Sequence, residues 1–451
     1  MFRLAILSLF CGTLSSVHSF VPQRLPTVTN LQSASSTPVC SNRAARFFST
    51  ATPQTDSVVA AASNDDDDDD DDDCASSEQQ KQEQKQKMQT TTVTTTELTP
   101  EYQQALDKVR ATITAVVEDT KPELLKPVLH FCTEYITASQ AAYLKYQDED
   151  VKPEAALKRI LEAVQFGYKY GMGEDKFEFG VTHNALRGKD SESENGNEFD
   201  FYVWGCNFFR FFIDVPESKI LGMDSLQKAM DQANNGENVV FFANHQSEAD
   251  PQVMSAMLEK VGFCDEASRI NYVAGHKVTT DALAIPFSMG RNLICIHSKK
   301  HIDTDPETKT SKSKQNLQAM GGMLKKLKAG GCLLWVAPSG GRDRRDVESG
   351  KTPIAPFDSK TIDMFRLMGR KSKVKTHYYP LAMVSYELCP PPDFIEAGVG
   401  EQRNFRFVPV GIKVGEEITA EEDFNPGTYE ETVKDYYELR EAIFPGTAPE
   451  P

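Results

Sequence analysis

Val239-Val240-Phe241-Phe242-Ala243-Asn244-His245-Gln246-Ser247-Glu248-Ala249-Asp250-Pro251 decides the fold. Its first five residues form a short apolar run, the pattern of a buried strand. Asn244 to Ala249 are mostly polar and leave the strand as a loop. Asp250 followed by Pro251 predicts a helix start, with Asp as N-cap and Pro as the first helical residue. An amphipathic segment, Pro251 to Val261, follows.

Working outward, the same alternation recurs. Further apolar runs occupy Ile270 to Ala274, Leu293 to Ile296, Cys332 to Ala337, Tyr379 to Val384 and Phe405 to Val410. Helical segments such as Ser313 to Ala329 separate them. Strands alternating with helices predict an α/β domain with a mixed sheet and flanking helices, over residues 191–451. Loops leaving the strand ends are then the natural place for functional groups.

Upstream the periodicity is helical. Thr99 and Pro100 suit a helix start. Leu106, Val109, Ile113, Val116 and Val117 share one face, as do Leu125, Val128, Leu129, Cys132, Tyr135 and Ile136. Pro127 is expected to end or bend the first turn of the second helix. A third helix runs from Pro153 through Val164. Residues 97–190 are therefore expected to form a small all-α helical bundle ahead of the α/β domain. The most apolar stretch, Phe199 to Val215, is broken by Asp200, Asn207, Arg210 and Asp214. No run in this domain reaches the roughly 18 apolar residues of a membrane span.

The first 96 residues read as addresses and a spacer. Met1 to Ser19 has the charged start, short apolar run and small-residue end of a signal peptide. Residues 20–60 open with a long stretch free of acidic residues but carrying Arg24, Arg43 and Arg46, the composition of a transit peptide. A signal plus transit peptide with Phe20 at the junction resembles the bipartite plastid signal of algae with secondary plastids. Residues 61–96 are acidic, Gln-rich and Thr-rich, and cannot bury enough apolar surface to offset ordering.

The formal charge is −17, but nine charges sit in the run Asp65 to Asp73. Without that run the chain carries −8, and nothing marks a nucleic-acid footprint. The nine cysteines form no C-x-x-C pair. The six beyond residue 96 are mostly flanked by apolar residues, so buried free thiols are expected, with no disulfide framework and no metal site.

Three loops after strands carry chemistry. His245 leaves its strand, and Asp250 returns a carboxylate towards it. Such a pair fixes the imidazole tautomer and leaves the other nitrogen to take a proton from an alcohol. Ala337-Pro338-Ser339-Gly340-Gly341-Arg342-Asp343-Arg344 allows a tight loop that offers two guanidinium forks, suited to a phosphate ester. Gly350-Lys351-Thr352 is no nucleotide P-loop, because Arg345 stands where its first Gly belongs. Ser298-Lys299-Lys300-His301 adds compact positive charge after another strand. Together these loops point to a hydroxyl nucleophile borne by a phosphorylated small molecule.

These segments, with Pro286-Phe287-Ser288-Met289-Gly290-Arg291-Asn292-Leu293, resemble the soluble plastidial glycerol-3-phosphate acyltransferases of plants and algae. The resemblance runs from about Thr99 to the C-terminus. It implies His245 as general base, Asp250 as its partner, and Lys300, His301, Arg342 and Arg344 on the substrate phosphate. It further implies glycerol 3-phosphate as acceptor, acyl–acyl carrier protein (or acyl-CoA) as donor, no cofactor, and the plastid stroma as the place of work. His276 departs from the family, whose members usually carry Asp there. An acidic carrier would be received by cations, with Lys325, Lys326 and Lys328, or Arg370, Lys371, Lys373 and Lys375, as candidates. Other readings are a lysophosphatidate acyltransferase and a non-catalytic lipid- or carrier-binding relative.

Overall fold

The computed structural model describes residues 97–117, 122–173, 175–188, 199–297, 302, 306–346, 348–392, 402–419 and 424–446. The predicted signal, transit and spacer segments, and Lys300 and His301, lie outside the described residues.

Three helices open the described chain: α1 (Pro100–Val117), α2 (Leu125–Tyr146) and α3 (Pro153–Gly167). Their apolar faces meet as the periodicity requires, burying Leu106, Val109, Ile113, Cys132, Tyr135, Ile136 and Ile160. Pro127 does not end the first turn of α2, which continues to Tyr146. It lies in that turn, where its missing N–H would have no intrahelical partner anyway. The apolar stretch after Phe199 becomes α4 (Phe201–Arg210), capped by the Asp200 side chain, which accepts from Val203 N at 2.8 Å. Its aromatic residues face inward. Phe131 and Tyr135 of α2 pack on Phe208 and on Phe405, so bundle and α/β layers share one core.

Eight strands form one mixed sheet in the order β1-β5-β4-β6-β3-β7-β8-β2. They are β1 (Thr182–His183), β2 (Lys219–Leu221), β3 (Asn238–Ala243), β4 (Asn271–Gly275), β5 (Asn292–Ile296), β6 (Leu333–Val336), β7 (Thr376–Val384) and β8 (Gly411–Val414). The central five, β5-β4-β6-β3-β7, are mutually parallel, whereas β1 and β8 run antiparallel to their inner neighbours. Parallel strands end at the same edge, so the loops after β3, β4, β5, β6 and β7 converge there. Both faces are covered, which is why β3 is buried at all six positions. On one face lie α5 (Met223–Asn234), α6 (Asp250–Lys260) and α7 (Cys264–Arg269), with α8 (Ile285–Met289) between β4 and β5. On the other lie α9 (Pro306–Ala329) and α10 (Ser359–Ser372), whose Ala319, Met323, Leu327, Ile362, Phe365 and Met368 pack on Val240, Phe242 and Leu334. The last helix, α11 (Phe424–Ile443), closes over β7 and β8.

Two expectations need correction. Phe405 to Val410 is not a strand: its backbone bonds alternate between separate segments, Arg406 N to Leu388 O and Val408 N to Phe212 O. The ladder starts at Gly411, where a side chain would press on Lys219 O. Cys132, Cys206, Cys295, Cys332 and Cys389 are buried free thiols, but Cys264 is disulfide-bonded.

Candidate active site

The site begins with the way β3 ends. The Asn244 side chain copies a strand residue: its amide donates to Met383 O at 3.0 Å and its oxygen accepts from Met383 N at 2.7 Å. That clip against β7 fixes the point where the chain turns away, and His245 follows. Its side chain is about a quarter exposed, with the ring edge-on to Trp335 at 5.5 Å.

Asp250 is fully buried, with Oδ2 2.8 Å from His245 Nδ1. It is not the N-cap expected from the sequence. It is the first residue of α6, and its carboxylate turns back into the preceding loop. Oδ2 also accepts from Gln246 N at 2.9 Å, and Oδ1 accepts from Ser247 N at 3.2 Å and Ser385 Oγ at 2.5 Å. An ionised carboxylate only accepts, so Nδ1 carries the imidazole proton and Nε2 has the free lone pair. That is a general-base arrangement for a hydroxyl proton.

The loop after β6 docks directly on this histidine. Asp343 N donates to His245 O at 2.5 Å. The Asp343 side chain points inward, accepting from Ala355 N at 2.9 Å and Asn244 Nδ2 at 3.4 Å. Burial pushes its carboxyl up to about 7, against the lowering effect of those donors. Arg342 and Arg344 flank it, both half-buried, and Arg344 Nη1 donates to Pro392 O at 2.9 Å. The structure thus brings His245, Asp250 and the Arg342–Arg344 segment together.

Other members of the network carried no mark in the sequence. Gln246 Oε1 accepts from Ser385 N and Tyr386 N at 3.0 and 3.2 Å. Arg403 lies buried between Glu248 Oε1 at 2.6 Å and Asp281 Oδ2 at 3.1 Å, and these carboxylates hold its guanidinium further above its usual range despite burial. Only the end of the Tyr379 to Val384 run hinted at Ser385, as the first residue beyond a strand. Cys389 is no nucleophile, since burial pushes its thiol up and keeps it protonated.

Residues 222–384 match a family described as Acyltransferase, a span that includes His245, Asp250, Arg342 and Arg344. A chloroplastic glycerol-3-phosphate acyltransferase of Cucurbita moschata is 38% identical over 275 residues, covering 61% of this chain and 57% of the relative. One of Arabidopsis thaliana is 36% identical over 284 residues, 60% of each. One of Spinacia oleracea is 37% identical over 245 residues, 54% of this chain and 50% of the relative. The chain thus spans between half and three-fifths of these relatives. With an acyltransferase-family match around a His–Asp pair, the chain resembles the chloroplastic glycerol-3-phosphate acyltransferases.

Proposed function

We propose that this protein moves a fatty acyl group from acyl–acyl carrier protein to the sn-1 hydroxyl of glycerol 3-phosphate, giving 1-acyl-glycerol 3-phosphate. The observation that carries the reading is the 2.8 Å contact of His245 with a buried Asp250 at the end of a central parallel strand. Nε2 takes the hydroxyl proton as the oxygen attacks the thioester carbonyl. Asp250 balances the charge of the imidazolium that forms. The tetrahedral intermediate collapses, the carbon–sulfur bond breaks, and the thiolate takes the proton back from the imidazolium. No acyl-enzyme and no cofactor enter this route. Arg342 and Arg344, with Lys300 and His301, hold the substrate phosphate.

The names of the relatives support glycerol 3-phosphate as acceptor and the plastid as location. The signal and transit compositions of residues 1–60 favour entry by a bipartite signal and work in the stroma. No described helix is long and apolar enough to cross a membrane, so any lipid contact through those helices would be peripheral. For an acidic carrier, Lys325, Lys328, Arg370, Lys371 and Lys373 offer exposed cations. Lys326 bonds Asn184 and Lys375 pairs with Glu237, which makes them weaker candidates.

The test is an acyl-transfer assay with acyl–acyl carrier protein, offering glycerol 3-phosphate or its 1-acyl product as acceptor. Glycerol 3-phosphate should be the strongly preferred acceptor. His245→Ala should lower the rate by about 10²–10⁴, the range of a lost general base. Preference for the 1-acyl product, or a His245→Ala variant within about tenfold of wild type, would overturn the reading.

A further inference from the structure

Ser385 is the first residue beyond β7 and is buried. Its hydroxyl lies 2.5 Å from Asp250 Oδ1, across 135 residues of sequence. An ionised carboxylate cannot donate, so the hydroxyl does. In return, the Ser385 backbone N–H donates to Gln246 Oε1, within the loop that links His245 to Asp250. The end of β7 and the His–Asp loop are therefore tied in both directions. Four donors fix the plane of the Asp250 carboxylate: Ser385 and Ser247 on Oδ1, His245 and Gln246 on Oδ2. The Ser247 bond, at 3.2 Å, is the longest. Without the Ser385 hydroxyl, Oδ1 would depend on that bond.

We propose that Ser385 is a positioning residue for the His245–Asp250 pair: its hydroxyl holds the Asp250 carboxylate in the plane of the imidazole and draws charge from it. The inference rests on the base role given to His245 above. Two effects follow from removing the hydroxyl. The carboxylate gains rotational freedom, and a misaligned pair turns over more slowly. It also keeps more negative charge against Nδ1, so the imidazolium is favoured to higher pH and the rising limb of the rate profile moves upward. Among the described residues, Asp343, from the loop after β6, and Tyr272 on β4 also bear on Asp250, and the Arg342–Arg344 segment lies on the His245 backbone. Burial lifts the Asp343 carboxyl to about 7, so the pH comparison is repeated in an Asp343→Asn background, where the shift that remains belongs to the His245–Asp250 pair.

The experiment compares Ser385→Ala and Ser385→Cys with wild type in the acyl-transfer assay across pH. Cysteine is the nearest in shape, slightly larger, and donates only weakly. For the alanine variant kcat should fall about tenfold, with KM for glycerol 3-phosphate within about twofold. The rising limb should move up by about half a unit to one unit. The cysteine variant should lose at least about threefold in kcat, with its limb moved in the same direction. A readout free of the assigned reaction is the low-field proton signal of His245 Nδ1–H, identified by its absence in His245→Ala. It should shift in both variants. Wild-type kcat and an unmoved limb in Ser385→Cys would reduce the residue to packing and sink the proposal, as would a loss confined to KM. A His245 signal indifferent to both variants would sink it whatever the reaction. A shifted signal in a protein without acyl transfer would fault the functional reading alone.

Discussion

Asp343 and Asn244 meet inside the protein, Oδ2 to Nδ2 at 3.4 Å, with neither side chain exposed to solvent. Burial lifts the Asp343 carboxyl from 3.8 to about 7. The folded protein therefore holds this proton more tightly than the unfolded chain does. Below about 4 both states are protonated and the group is neutral in its effect. Between about 4 and about 7 only the unfolded chain ionises, so stability falls as pH rises, and above that window the loss is complete. Asp343→Asn cannot ionise and should escape this loss. In urea unfolding, the stability of the variant relative to wild type should rise by about 2–3 kcal/mol between pH 5 and pH 8. A difference that stays constant across those pH values would show that Asp343 does not titrate there.

The same pair shows what a single sequence can and cannot reveal. β3 and its loop were legible because strand, His245 and Asp250 are contiguous, and apolar runs report burial on both sheet faces. The local pattern places Asn244 at the strand end but does not mark its role as a clip. Its partners, Met383 and Asp343, are 139 and 99 residues away, and no local pattern encodes that pairing. Ser385 was hidden for the same reason. The strand order, with β6 between β4 and β3, is likewise a property of crossovers and not of any segment. Phe405 to Val410 looks like a strand because Phe405 and Val410 are buried, Phe405 against Phe212 and Tyr135, although its backbone bonds go elsewhere. For Asp250, the Asp-Pro pair correctly marked the helix start, and the misplaced cap came from a carboxylate whose best donors lie in the loop behind it.

Arg403 gives a second prediction. Its guanidinium is 8% exposed and joins Glu248, in the His–Asp loop, to Asp281, ahead of α8. Arg403→Met would keep much of the packing but leave two carboxylates without their cation. Breaking a buried pair from one side costs about 3–5 kcal/mol, so denaturant unfolding should register a loss of that size. Adding Glu248→Gln and Asp281→Asn should recover part of it, since the stranded charges go with them. A loss below about 1 kcal/mol, the range of exposed pairs, would mean that water already screens the cluster.

The last prediction separates phosphate capture from chemistry. Arg342 and Arg344 are carried by a segment whose middle residue, Asp343, donates its backbone N–H to His245 O, and the proposed mechanism gives them no reacting proton. Their planar forks match phosphate oxygens. Losing a charge-assisted hydrogen bond costs about 1.5–3 kcal/mol, or roughly ten- to a hundredfold in KM for glycerol 3-phosphate. Arg342→Ala should show this loss. Arg344→Ala should show it too, together with a small loss of stability, because the guanidinium also satisfies Pro392 O. Lys300→Ala should act in the same direction but less strongly, since a compact ammonium is more easily replaced by water. Some fall in kcat is expected, because a poorly held phosphate misplaces the hydroxyl beside His245. Plain glycerol makes the comparison decisive. Wild type should use it very poorly, and the arginine variants should lose little further with it. If Arg342→Ala cuts activity equally with glycerol and glycerol 3-phosphate, its guanidinium does not act on the phosphate, and the acceptor site must be sought elsewhere along the edge where the parallel strands end.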